Sequence, residues 1–187
     1  FENVTFRAAA IGYFGHMWEL YAFWAFVPIL LKTYSLLHSN IEFNIALLSF
    51  IIIAIGGLGC IIAGYLSEYF GTKKTAFTAL LLSCICCFVC PFFFAFNSEI
   101  LFIGFLIFWG IVVIADSPLL STLVAQNAEP QLKGTALTIV NCIGFAITIM
   151  SILFLNSLVN STNSLMVYMV LGVGPVLGLI GLSRSSK

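Results

Sequence analysis

Six apolar runs, each close to the roughly 20 residues that carry a helix across a bilayer, occupy almost the whole chain. They fall at Ala8–Leu31, Phe43–Leu66, Ala76–Phe96, Ile100–Val124, Thr135–Val159 and Ser164–Leu182. Backbone amides in hydrocarbon must pair within the chain, so each run is predicted to be a helix. Barrel strands would be half as long and would alternate polar with apolar residues, which these runs do not. Only 7% of the 187 residues are charged, against about 25% in soluble domains, and 61% are hydrophobic. So few charges cannot cover a water-facing surface. The expected fold is an all-α membrane protein in which residues 1–187 form one six-helix transmembrane domain.

Orientation follows from the basic residues. With the N-terminus in the cytoplasm, Arg7, Lys73, Lys74, Lys133, Arg184 and Lys187 lie inside and only Lys32 outside. Both termini are then cytoplasmic, with cytoplasmic loops at 67–75 and 125–134. The formal net charge is zero, so there is no basic footprint for nucleic acid. The first residue is Phe1, not Met, and the chain is expected to be a fragment of a longer protein.

Six cysteines, Cys60, Cys84, Cys86, Cys87, Cys90 and Cys142, all sit in apolar runs. "CICCFVC" has no histidine or charge beside it, so no metal site is expected and no cofactor is implied. Its cysteines are read as small residues filling a helix surface. In the second run Gly56, Cys60 and Gly64 are spaced four apart, a pattern that lets another helix approach closely. Pro118 in the fourth run removes a backbone hydrogen bond and is predicted to kink that helix.

Three ionisable residues lie deep in these runs: His16 and Glu19 in the first and Asp116 in the fourth. A charge at mid-bilayer costs roughly 2.5–3.5 kcal/mol on insertion scales, so such residues are not expected to face lipid. Helical spacing places Gly12, His16, Glu19 and Phe23 on one face, where His16 and Glu19 can share a hydrogen bond or a proton. Tyr21 and Phe23 are candidates for a cavity wall, while Trp18 and Trp24 are read as packing residues. Asn141 in the fifth run is a further polar candidate, either in a cavity or in an interhelical hydrogen bond.

Between the second and third runs the chain reads "GYLSEYFGTKKT", residues 64–75. Gly64, Glu68, Gly71 and Lys73 resemble the loop signature of the major facilitator superfamily, although Tyr69 and Thr72 stand where basic residues are usual. "EPQLKGTALT", residues 129–138, is similar to that family's link between the fourth and fifth helices of each half, through Pro130, Lys133, Gly134 and Ala136. "GYFGHMWELYAFW" resembles the opening helix of the C-terminal half in a bacterial subgroup, which implies a bacterial inner membrane.

The resemblance implies two inverted three-helix units, together half of a twelve-helix transporter whose N-terminal six-helix half is missing here. It places the first and fourth helices at the central cavity, the second and fifth beside it, and the third and sixth outside. It also implies a gating role for the loop, with Glu68 facing the positive end of a helix in the other half and Lys73 as an anchor at the membrane surface.

Three roles for the buried charges stay open. They carry protons that drive solute movement, since burial disfavours a charged carboxylate and hydration restores it. They bind a polar solute directly. Or they lock helices together as a static cluster. Both arginines, Arg7 and Arg184, lie at membrane edges, which disfavours an anionic solute unless the missing half supplies the cation. The rival readings are a complete six-helix scaffold protein and an intramembrane enzyme. An aspartyl protease needs two aspartates and the chain has one, while Ser117 and His16 lack a rhomboid setting. No helix carries the arginine row of a voltage sensor.

Overall fold

A computed structural model describes residues 3–38 and 41–184. Phe1 and Lys187 lie outside the described residues. Within them the chain is helical throughout, with six helical segments long and apolar enough to cross a membrane. The first span is one helix, α1 (Val4–Leu37). The second consists of α2 (Ile45–Ala54) and α3 (Gly56–Phe70), and the third is α4 (Thr72–Phe93). The fourth divides into α5 (Glu99–Ala115) and α6 (Ser117–Asn127). A short 3-10 turn, Pro130–Leu132, leads into the fifth, α7 (Lys133–Ser161). The sixth begins as a 3-10 segment, Leu165–Gly172, and continues as α8 (Val173–Ser183).

Polar caps, and not the edges of the apolar runs, set several of the helix starts. Asn3 accepts from the backbone N–H groups of Thr5 and Phe6 and starts α1 well before Ala8. Asn44 does the same for α2 through Leu47, and Ser98 for α5 through Leu101. The loop expected at 67–75 shrinks to one residue between helices. Gly71 adopts φ +85°, the only positive φ among the described residues, and reverses the chain from α3 to α4. The loop expected at 125–134 likewise narrows to residues around the 3-10 turn, because α6 runs to Asn127 and α7 starts at Lys133.

Pro118 sits at the start of α6, just after the helix breaks at Asp116. The helix is thus interrupted two residues upstream of the proline, where the missing N–H opens the ladder. The 3-10 opening of the sixth span has a similar origin. Pro175 lacks an N–H and crowds the carbonyl four residues earlier, so α geometry does not extend upstream past Val173.

Packing centres on α1, which lies against the second, fourth, fifth and sixth spans and reaches the third through the Glu19 side chain. The first, third, fourth and sixth spans are 44–50% buried over their most apolar windows, while the second and fifth are 22% buried. Within this bundle the least covered helices are thus the second and fifth. The core has two lobes. One gathers Phe23, Leu30, Tyr34, Phe102 and Trp109; the other gathers Met17, Leu80, Leu120 and Leu182.

Small residues let the closest helix pairs meet backbone to backbone. At the α3–α5 crossing an added Cβ on Gly56 would lie 2.8 Å from the Gly110 carbonyl oxygen, and one on Gly59 would strike the Ile111 carbonyl. Cys60 donates to Ile114 O at 3.5 Å in the same seam. Gly64, expected on this face, has open space around it. The contact follows Gly56–Gly59–Cys60, because the helix begins anew at Gly56 and the four-residue spacing drifts off the seam.

Candidate functional site

The two lobes of the core meet around three buried ionisable side chains: Glu19 and His16 are each 1% exposed and Asp116 is 0% exposed. All three point inward, as the cost of a charge against lipid requires. Glu19 is held by three donors from two other spans. Trp109 Nε1, on α5, donates to Oε1 at 2.8 Å, and Cys87 Sγ, on α4, donates to the same oxygen at 3.2 Å. Ser83 Oγ, also on α4, lies 2.9 Å from Oε2. Helical spacing explains the pair on α4, since residues four apart share a face.

His16 turns to a different partner. Its Nδ1 lies 2.9 Å from Asp116 Oδ1, across the α1–α6 contact. The hydrogen bond expected between His16 and Glu19 is not formed among the described residues. Glu19 is drawn to the Trp109 side and His16 to the break between α5 and α6. Asp116 occupies that break, where the α-helical ladder is interrupted, and His16 Nε2 and Asp116 Oδ2 have no hydrogen-bond partner among the described residues. The site thus holds two polar contacts side by side on α1, Glu19 with donors from α4 and α5 and His16 with Asp116 at the joint of the fourth span.

Aromatic and polar neighbours fix the frame. Phe23 packs against the Trp109 ring with centroids 4.4 Å apart and is fully buried. It supports the tryptophan that binds Glu19 and is not an open cavity wall in this conformation. Tyr21 is half-buried between Trp24 and Phe145. Asn141 is half-buried on α7, but the α7 side chains that hydrogen-bond to α1 are Thr148, to Met17 O at 2.8 Å, and Ser151, to Trp18 O. Trp18 itself donates to Val170 O at 3.1 Å, tying α1 to the sixth span. No cluster able to hold a metal ion occurs among the described residues.

A family model for the Major Facilitator Superfamily matches residues 6–184, nearly the entire chain. The chain belongs to that superfamily. It is accordingly a multi-pass membrane protein of a family that transports solutes. No curated protein matches the sequence.

Within this superfamily fold the loop residues fall at the α3–α4 reversal. Gly64 and Glu68 lie in the last two turns of α3, Gly71 makes the turn, and Lys73 opens α4. Glu68 is exposed and has no ion-pair partner among the described residues. Trp109, Ser83 and Cys87 were not singled out by the sequence. The signal for Cys87 was present in the cysteine-rich run, but nothing in one chain segment reveals that it faces a carboxylate on another. An apolar hollow of about 480 Å³ opens between α3, α4 and α5, bordered by Gly59, Ala79, Ile111 and Ala115, with Lys74 at its end.

Proposed function

We propose that this domain is the C-terminal half of a secondary transporter that moves a small solute by alternating access, coupled to protons through Glu19 and Asp116, with His16 as their neighbour. The observation that carries the reading is the enclosure of two carboxyl groups and one imidazole where the first, third and fourth spans meet. A group that gains or loses charge in such a place does so only when water reaches it, and water reaches it only when those helices part. Protonation and opening are thereby linked, which is what coupling requires. In this reading both termini are cytoplasmic, Glu68 meets a helix of the N-terminal half, and that half completes the solute site. The absence of arginine from the interior of these spans favours neutral or cationic solutes.

The test is flux in liposomes carrying the full-length protein, with a panel of neutral and cationic solutes, with and without a pH gradient. Glu19→Gln and Asp116→Asn are expected to abolish gradient-driven movement while leaving expression and folding intact. Full gradient-driven transport by both variants would remove the coupling. The complete hydrogen bonding of Glu19 also fits a static lock between α1, α4 and α5. That second reading expects E19Q to transport normally wherever it folds.

A further inference from the structure

The surroundings of Glu19 fix which of its oxygens carries a proton. An indole N–H donates and has no lone pair to accept with. Trp109 therefore donates to Oε1 in either charge state, and the Cys87 thiol adds a second donor to the same atom. Oε1 is then the carbonyl oxygen of the protonated acid, and the proton sits on Oε2. The partner of Oε2 is Ser83 Oγ.

Ser83 has one hydroxyl proton and two acceptors in reach, Glu19 Oε2 at 2.9 Å and its own helix's Leu80 carbonyl at 3.2 Å. With Glu19 ionised, the hydroxyl donates to Oε2. With Glu19 protonated, the hydroxyl rotates to Leu80 O and its oxygen accepts from Oε2–H. Neither state leaves a buried polar group unpaired, and no heavy atom moves. We propose that Ser83 is a positioning residue that holds Glu19 in both charge states, with Oε2 as the atom that gains and loses the proton. This rests on the reading of Glu19 as a proton carrier.

Other titratable groups surround Glu19: His16 on its own helix, Cys84, Cys86 and Cys87 on α4, and Asp116 at the α5–α6 joint. His16 is engaged with Asp116, and Cys87 meets Oε1. Among the described residues only Ser83 bonds to Oε2.

The experiment is infrared difference spectroscopy of the full-length protein in liposomes, titrated with pH. The carboxylic C=O band of Glu19 is identified by its loss in E19Q. Ser83→Ala is expected to shift that band to higher wavenumber, and Ser83→Thr, which keeps the hydroxyl, to leave it in place. Should S83A not reconstitute, Ser83→Cys carries the same test with a weakly bonding thiol and a smaller shift in the same direction. A band at the wild-type position in S83A or S83C overturns the proposal, as does the absence of any titrating Glu19 band. The infrared result judges Ser83 by itself, whereas flux by E19Q judges the coupling reading.

Discussion

Removing the indole N–H from Glu19 gives the most direct measure of the site's strength. Trp109→Phe keeps an aromatic ring against Phe23 and Phe105 and deletes the 2.8 Å bond to Oε1. A hydrogen bond to a charged group contributes about 1.5–3 kcal/mol, and one between neutral groups about 0.5–1.5 kcal/mol. The smaller ring also leaves a void whose cost grows by roughly 24 cal/mol per Å³, so the single variant does not isolate the bond. A double-mutant cycle with Glu19→Leu does. In the E19L background the indole N–H has no acceptor, and its deletion relieves a desolvation penalty of about 1–3 kcal/mol. The void is common to both arms and cancels. The coupling is then expected at about 1.5–6 kcal/mol, the sum of the bond in either charge state and the penalty. A parallel cycle with E19Q, which retains an acceptor oxygen, should fall to about 1–2 kcal/mol if Glu19 is ionised and near zero if it is protonated. The assay is reversible unfolding of the full-length protein in mixed detergent micelles. A coupling to E19L below about 0.5 kcal/mol, the usual scatter of independent sites, would refute the view that Trp109 holds Glu19.

Three other outcomes follow from the same packing. Glu19→Ala strands the donors of Trp109, Ser83 and Cys87, so it should destabilise by about 2 kcal/mol or more beyond E19Q, whose amide mimics the protonated acid; equal detergent-unfolding midpoints would contradict this. Gly15→Ala places a Cβ 3.0 Å from Gly178 Cα and closer still to the Gly174 carbonyl oxygen; the helices must separate, at about 1–3 kcal/mol, visible as a lower melting temperature. Tyr34 OH donates to Phe96 O and accepts from Ser98 N at 3.1 Å, pinning the turn between α4 and α5; Tyr34→Phe should cost about 1–3 kcal/mol in the same assay.

The six spans were legible because bilayer crossing demands a long apolar run, and nothing else in the sequence competes with that signal. Their ends were less legible. Caps at Asn3, Asn44 and Ser98 depend on one polar side chain turning back on the backbone, which hydropathy does not weigh. Gly71 was readable as a turn, since a positive φ there favours a residue without Cβ.

The site was half legible. His16, Glu19 and Asp116 stood out because ionisable groups are rare in hydrocarbon, and all three are interior. Their partners did not stand out. A serine, a cysteine and a tryptophan are ordinary residues in an apolar helix and become ligands of a carboxylate only through the approach of α4 and α5 to α1. The pairing of His16 with Glu19 was drawn from one helix alone. Across the bundle each side chain has a better partner on another span, and tertiary contact overrides the local one.

The glycine seam between α1 and α8 bears on how this half can deform. Gly15 faces Gly174 and Gly178 with main chain against main chain, and Gly12 lies beside Gly178. Surfaces in such intimate register resist sliding, since a shift of one residue would drive the flanking side chains of Trp18 or Ile11 into the opposing backbone. Along this seam the first and last spans are therefore held in one register. The second and fourth spans, by contrast, are each broken at one residue, Ile55 and Asp116, and the second of these breaks carries a carboxylate.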